Sequence, residues 1–295
     1  MKRIFLCLPM ILLCYFSYSQ PIPSEVKSTV AFIYVLDQTG KPIPNGTGFF
    51  VGVRDTSKMD LFGAYLVTAK HVLQLDDRRT FLKTVFIRVN KLIGDAEFLR
   101  LDLYPSGKQK NIFIHPDTTV DIAVIPGIPD QSKYEFKFLP DEYLTTENDI
   151  KNLGIREGSE VFFTGLFAPF VGEHKNYPVV RFGRVALVTN EKVDWDGMKS
   201  ELYLMESSSY GGNSGSPVFF YLGAEREPGS LVLGSPVLKL AGIMKGFFGE
   251  PRPIQLIETS RVPIYVSNVG IAAVTPAHLL SEILFGTELK SIRGF

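Results

Sequence analysis

Gly211-Gly212-Asn213-Ser214-Gly215-Ser216-Pro217 is the stretch on which the reading of this chain turns. A serine hydroxyl is a weak nucleophile until a base takes its proton. After attack it also needs backbone N–H groups aimed at the developing oxyanion. Glycines on both sides of Ser214 let the backbone fold tightly enough to point such donors inward, and a glycine ahead of it leaves room for a substrate. A plain Gly-Ser surface turn carries the same letters, so the stretch gains its meaning from its company.

Two other segments supply that company. Leu66-Val67-Thr68-Ala69-Lys70-His71-Val72 runs an apolar strand into small residues and then a histidine. The imidazole would emerge at the strand's end, where it can reach a cleft. Thr119-Val120-Asp121-Ile122-Ala123-Val124-Ile125 sets an acid at the mouth of an apolar strand. A carboxylate there can accept the imidazole N–H, hold the productive tautomer and stabilise the imidazolium. Taken singly, His71 reads as a packed histidine and Asp121 as a strand cap. Taken together they assign Ser214 as nucleophile, His71 as general base and Asp121 as the group that orients the base. Asp117 competes for that last role, and Asp121 is preferred because it directly adjoins the apolar strand.

Composition agrees with a β-rich globular protein. The chain has 295 residues, 45% of them hydrophobic, enough for a sizeable core in one large domain or two small ones. Phe, Tyr, Val and Ile are abundant, and Gly and Pro are spread throughout, which favours strands and tight turns over long helices. Basic and acidic residues balance at 31 each with no basic tract, so an electrostatic grip on nucleic acid is not indicated.

At the N-terminus, Lys2 and Arg3 precede an apolar run over residues 4–16, then Ser17 and Ser19. This is a secretory signal pattern, with cleavage expected after Ser19. The run is short for a membrane span and Pro9 interrupts it. A lipoprotein signal at Cys14 is a weaker reading because Leu13 is bulky. Both cysteines, Cys7 and Cys14, fall inside the segment, so the mature chain has no disulfide and no thiolate metal site. His115, His174 and His278 lie far apart and in no metal-ligand spacing, so no metal and no cofactor are expected.

Strands are expected over residues 28–37, 46–53, 64–68, 85–89, 98–103, 111–114 and 121–125, with a turn over 38–42. A polar, proline-dotted stretch over 126–152 follows. Strands resume over 160–164, 179–188, 202–206, 216–221, 237–245 and 262–273. A helix closes the pattern over 277–285, with Thr275 as N-cap and Pro276 at its first position. The division read from this is a signal at 1–19, a first β unit with His71 and Asp121 at 20–135, a connector at 136–155, and a second β unit with Ser214 and the helix at 156–295.

The order His71, Asp121, Ser214, with gaps of 50 and 93 residues, resembles that of trypsin-like (chymotrypsin-fold) serine peptidases, and differs from the subtilisin and α/β-hydrolase orders. Lesser motifs fall in the right places. Gly46-Thr47-Gly48-Phe49-Phe50-Val51 resembles the family's strand before the histidine, and His115-Pro116 its approach to the aspartate. Leu240-Ala241-Gly242-Ile243 resembles the substrate-pairing strand, and Val269-Gly270-Ile271-Ala272 the pocket wall.

The resemblance implies an all-β fold of two six-stranded antiparallel β-barrels with a C-terminal helix and the site in the cleft between them. It implies an oxyanion hole from the N–H groups of Gly212 and Ser214. It implies a substrate pocket near Ser208, Ser209, Met244 and Gly270, with Glu206 turned in or out. Lys245 and residues 247–253 are expected to crowd the cleft. The implied activity is that of a secreted or periplasmic serine endopeptidase acting on polypeptides. An esterase with the same triad, or a binding protein that keeps the fold, are the alternatives. Asn213 is neutral where digestive relatives carry an aspartate, so activation by a freshly cut N-terminus is not implied. Ser214-Gly215-Ser216-Pro217 resembles the bacterial glutamyl-endopeptidase branch, but Met244 stands where that branch has a histidine, so glutamate specificity does not follow. The 223–236 insertion reads as a surface hairpin.

Overall fold

The structure, a computed structural model, describes residues 22–58, 61–105, 110–208, 211–223, 237–253 and 264–295. The expected signal at 1–19, Ser209 and most of the 223–236 insertion lie outside the described residues. Among the described residues, no helix is long and apolar enough to cross a membrane.

A short helix α1 (Ser24–Ser28) leads into β1 (Val30–Leu36), β2 (Pro42–Arg54), β3 (Phe62–Thr68), β4 (Thr84–Val89), β5 (Glu97–Asp102), β6 (Phe113–Ile114), β7 (Ala123–Pro126) and β8 (Leu139–Pro140). After α2 (Glu147–Asn152) come β9 (Glu160–Gly165), β10 (Val179–Leu187), β11 (Val193–Trp195), β12 (Met198–Ser200), β13 (Tyr203–Glu206), β14 (Pro217–Leu222), β15 (Val237–Pro253) and β16 (Ile264–Pro276). Helices α3 (Ala277–Leu284) and α4 (Thr287–Arg293) follow.

The N-terminal strands form one eight-stranded sheet in the order β5-β4-β1-β2-β3-β7-β6, with β8 added parallel to β2. The C-terminal strands close a six-stranded barrel in the order β10-β13-β16-β15-β14-β9. The expected strands are all present, and the sheet neighbours mix consecutive strands with distant ones such as β1 with β4, β3 with β7 and β9 with β14.

Residue type explains the layers. In β2 the segment Phe49, Phe50 and Val51 is fully buried, with Phe162 and Phe219 from the second unit in the same apolar cluster. That cluster also takes in Leu280 and Leu284 of α3, so the core continues from the first sheet onto the outside of the barrel. The barrel's own interior is a second cluster around Phe163, Met205, Phe220, Met244 and Val274. Arg88 of β4 ties the halves further. It is buried and donates to Gly172 O at 3.0 Å, Glu173 O at 2.7 Å and Asn176 Oδ1 at 3.1 Å.

The connector gains detail, and the start of the closing helix differs from what was expected. The 136–155 connector is not bare: Leu139 pairs with Val51, and Thr146 and Asp149 form a reciprocal capping box on α2. Thr145 N–H then donates to Leu240 O at 3.1 Å, stitching the connector to the barrel. Thr275 is not the cap of α3; it is the buried end of β16, paired with Ile243, and Pro276 takes the N-cap position. The ladder holds the chain extended up to the helix, which leaves Thr275 no freedom to turn its hydroxyl onto the first turn.

Candidate active site

His71 is delivered by the end of β3. The strand stops at Thr68, and a single 3-10 turn, Lys70–Leu73, swings the ring out while burying Val72 and Leu73. Asp121 sits two residues before β7 and is 5% exposed. β3 and β7 are adjacent, with Thr68 opposite Ala123, so their ends bring the two side chains together. His71 Nδ1 lies 2.7 Å from Asp121 Oδ2, and the His71 backbone N–H donates to Oδ1 at 3.0 Å. Both carboxylate oxygens are thus committed to one residue. In the tautomer this pairing selects, Nδ1–H donates and Nε2 is left as an acceptor.

Asp117 does not compete. Its Oδ1 accepts from Thr119 N–H at 2.9 Å and Thr119 Oγ1 at 2.7 Å, and Oδ2 accepts from Lys192 Nζ at 3.0 Å. It shapes the loop that carries Asp121.

Ser214 lies in the tight bend before β14. Gly212 and Gly215 have φ of +94° and +84°, a region that glycine enters freely. At Gly215 no other residue fits: a Cβ would fall 2.1 Å from Thr47 O and 2.4 Å from Thr68 Oγ1. Gly215→Ala is therefore expected to cost about 1–3 kcal/mol for the backbone conformation alone, plus the clash, and to displace Ser214. A Tm and activity both equal to those of the parent would contradict this.

One residue that sequence reasoning gave no role organises the bend. Thr47 is fully buried in β2. Its N–H donates to Ser214 O at 2.8 Å and its Oγ1 donates to Gly212 O at 2.9 Å. The same Oγ1 accepts from Leu166 N–H at 2.9 Å. Gly215 N–H donates to Met244 O at 2.8 Å. With these carbonyls drawn away, the N–H groups of Gly212 and Ser214 have no acceptor among the described residues. The Ser214 hydroxyl is half-buried and donates to Lys245 O at 3.4 Å, with no hydrogen bond to His71. Asn213 is 2% exposed, and its Nδ2 has no partner among the described residues.

The expected pocket residues divide. Gly270 has open space where a side chain would be, and its carbonyl accepts from Ser207 N–H at 2.9 Å. Ser208 is exposed, with its carbonyl near Arg181 Nη1 at 3.4 Å, and Glu206 is exposed too. Met244 presents no side-chain surface: it is fully buried in the barrel core and serves the site through its backbone. Lys245 is 6% exposed and lies against the site, its carbonyl accepting the Ser214 hydroxyl at 3.4 Å. Away from the site, Glu147, Glu201 and His278 bring ligand-type atoms within 4.8 Å of one another, a convergence their spacing does not reveal.

Electrostatics separate the acids from the rest. Burial pushes the Asp121 carboxyl up, but the adjoining His71 ring, its two hydrogen bonds and the charge of Lys245 outweigh it and hold the group below the usual carboxylate range. Asp117 is also held low, by Thr119 N–H and hydroxyl first and Lys192 next. For groups lowered in the folded state, the stabilisation is complete above the unfolded value of about 4 and is lost as pH falls through the folded values. Tm is therefore expected to hold between about pH 7 and 5 and to drop below about pH 4. Asp117→Asn should flatten part of that drop. A Tm that rises on acidification through this window would contradict the assignment.

A family model described as a trypsin-like peptidase domain matches residues 46–223. Among solved structures, the MamO protease domain from Magnetospirillum magneticum (apo form) is 14% identical, with a TM-score of 0.49 over 88% of this chain and 98% of that one. Rv3671c from M. tuberculosis, solved as a serine-to-alanine mutant in an inactive form, is 14% identical, with a TM-score of 0.41 over 90% and 94%. No curated protein sequence matches the chain.

Proposed function

Since the chain belongs to the trypsin-like peptidase domain family, we propose that it is a secreted serine endopeptidase in which Ser214, His71 and Asp121 act as a triad. The observation that carries this is the two-point lock of Asp121 on His71, at 2.7 Å and 3.0 Å, beside a serine bend whose Gly212 and Ser214 N–H groups have no acceptor among the described residues.

The reaction runs in two halves. The Ser214 hydroxyl rotates from the Lys245 carbonyl to His71 Nε2, a tightening common when substrate binds. His71 takes the proton as Oγ attacks a peptide carbonyl, and Asp121 stabilises the imidazolium. The oxyanion is held by the N–H groups of Gly212 and Ser214, a type of contact worth roughly a hundred- to thousandfold per donor. His71 returns the proton to the leaving amine. Water, activated by the same ring, then releases the acyl group from Ser214. Export rests on the N-terminal Lys2-Arg3 and apolar pattern.

Cleavage of a mixture of unstructured peptides by the purified protein, read by mass spectrometry, tests the substrate class. Internal peptide-bond cuts are expected. Hydrolysis of simple esters with every peptide left intact would favour an esterase, and neither activity in a folded protein would favour a binding role.

A further inference from the structure

We infer that Lys245 is a positioning residue for this reaction, reaching from the C-terminal barrel to hold the segment that carries Asp121 against His71, with Trp195 as its cover. The inference rests on the Ser214–His71–Asp121 reading above. Lys245 follows Met244 on β15, so its side chain leaves the barrel core on the opposite face. It is 6% exposed, and an ammonium that far from water needs partners. Its Nζ donates to Thr119 O at 3.4 Å and lies 5.6 Å from the centre of the Trp195 ring, within cation–π range.

Thr119 is flanked by two more captured carbonyls. Lys70 Nζ donates to Thr118 O at 2.7 Å and to Val120 O at 2.9 Å. Three successive carbonyls leading into Asp121 therefore face an ammonium. Lys70 comes from the first unit, beside His71; Lys245 comes from the second, and its own carbonyl accepts the Ser214 hydroxyl. One residue thus touches the nucleophile through its backbone and the aspartate segment through its side chain.

The β11–β12 hairpin completes the grip. Trp195 sits edge-on to Phe248 at 4.8 Å, and Gly246 gives it room, since a Cβ there would meet the ring at 3.3 Å. Lys192, one residue before β11, binds Asp117 in the same segment. The charged groups that face Lys245 are Asp121 and Asp196, which favour its ammonium, and Lys70 and Arg78, which oppose it. Burial is the largest influence and pushes its pKa down.

The test compares Lys245→Met, Lys245→Arg and Trp195→Ala with the parent, using two readouts. Proton NMR detects the His71 Nδ1–H bound to Asp121 as a far-downfield resonance, whether or not Ser214 reacts. Fluorophosphonate labelling measures the nucleophile. In Lys245→Met the downfield proton is expected to broaden into exchange with solvent. Labelling should slow roughly ten- to hundredfold, as for a small misplacement of a reacting group. Peptide cleavage should lose kcat and not KM. Lys245→Arg should recover most of the loss. Trp195→Ala, which removes the cover and leaves Lys245 itself in place, should move each readout the same way by less, and it decides the matter if the Met variant does not fold. Folded Met and Trp variants with the resonance intact and parental labelling rates would overturn the proposal. A parent that shows the resonance but never labels would instead remove the peptidase reading, and the resonance alone would then judge the role of Lys245.

Discussion

Ser214→Ala is expected to lower kcat for peptide cleavage on the order of a millionfold while leaving the fold intact. The size follows from the division of labour in such a site. Removing the nucleophile leaves the donors and the bound substrate geometry, which retain roughly a thousandfold advantage over water. The small effect on stability follows from the structure. The hydroxyl is half-buried and makes a single 3.4 Å bond to Lys245 O, so its loss should stay within about 0.5 kcal/mol. The bend itself is held by Thr47, Gly215 and Met244, none of which depends on the Ser214 side chain. Steady-state kinetics and thermal unfolding on the same preparation check both halves. Cleavage that persists near the parental rate would place the activity elsewhere.

Asp121→Asn is expected to cost about ten-thousandfold in kcat, with KM little changed. Asp121 accepts twice from His71, from the ring Nδ1–H and from the backbone N–H. An amide can keep one of these contacts through its oxygen. If its NH2 then faces the ring, it donates to Nδ1 and forces the proton onto Nε2, where the Ser214 proton must go. The variant should also lose the part of the acid-side stability drop that Asp121 contributes, because the depressed carboxyl is gone. An Asn variant within tenfold of the parent would show that another group orients His71.

Much of this site could be read from letters because the chemistry restricts them. Few patterns place a histidine at the end of one apolar strand, an acid at the mouth of another, and a serine among glycines. Their order then selects one arrangement. The glycines were legible for a physical reason as well: Gly212 and Gly215 sit at positive φ, and Gly215 has backbone of Thr47 against its α-carbon.

The supporting residues were not legible, because their roles come from tertiary packing. Thr47 looks like any threonine in a strand until β2 is laid beside the serine bend. Lys245 reads only as a lysine that crowds the cleft until Trp195 and Thr119 close over it. The β11–β12 hairpin was missed, although a signal for it was there. Asp196 and Gly197 both have positive φ, the geometry favoured at a two-residue hairpin turn, and the Asp-Gly pair announces it. Thr275 misled because Thr-Pro before an apolar run is a good helix start, and strand pairing overrode it.

Both units therefore contribute to one site in ways that the triad letters do not display. β2 of the first unit fixes the serine bend of the second through Thr47. β15 of the second reaches the aspartate segment of the first through Lys245. Arg88 and the connector hold the two units in register for these contacts.

The central claim is that Ser214 is a nucleophile activated by His71. Mass spectrometry of the intact mature protein after exposure to a fluorophosphonate, followed by peptide mapping, tests it most directly. The account predicts one adduct per chain, located on Ser214 and absent from His71→Ala. A well-folded protein that acquires no adduct, or that still acquires one after Ser214→Ala, would contradict it.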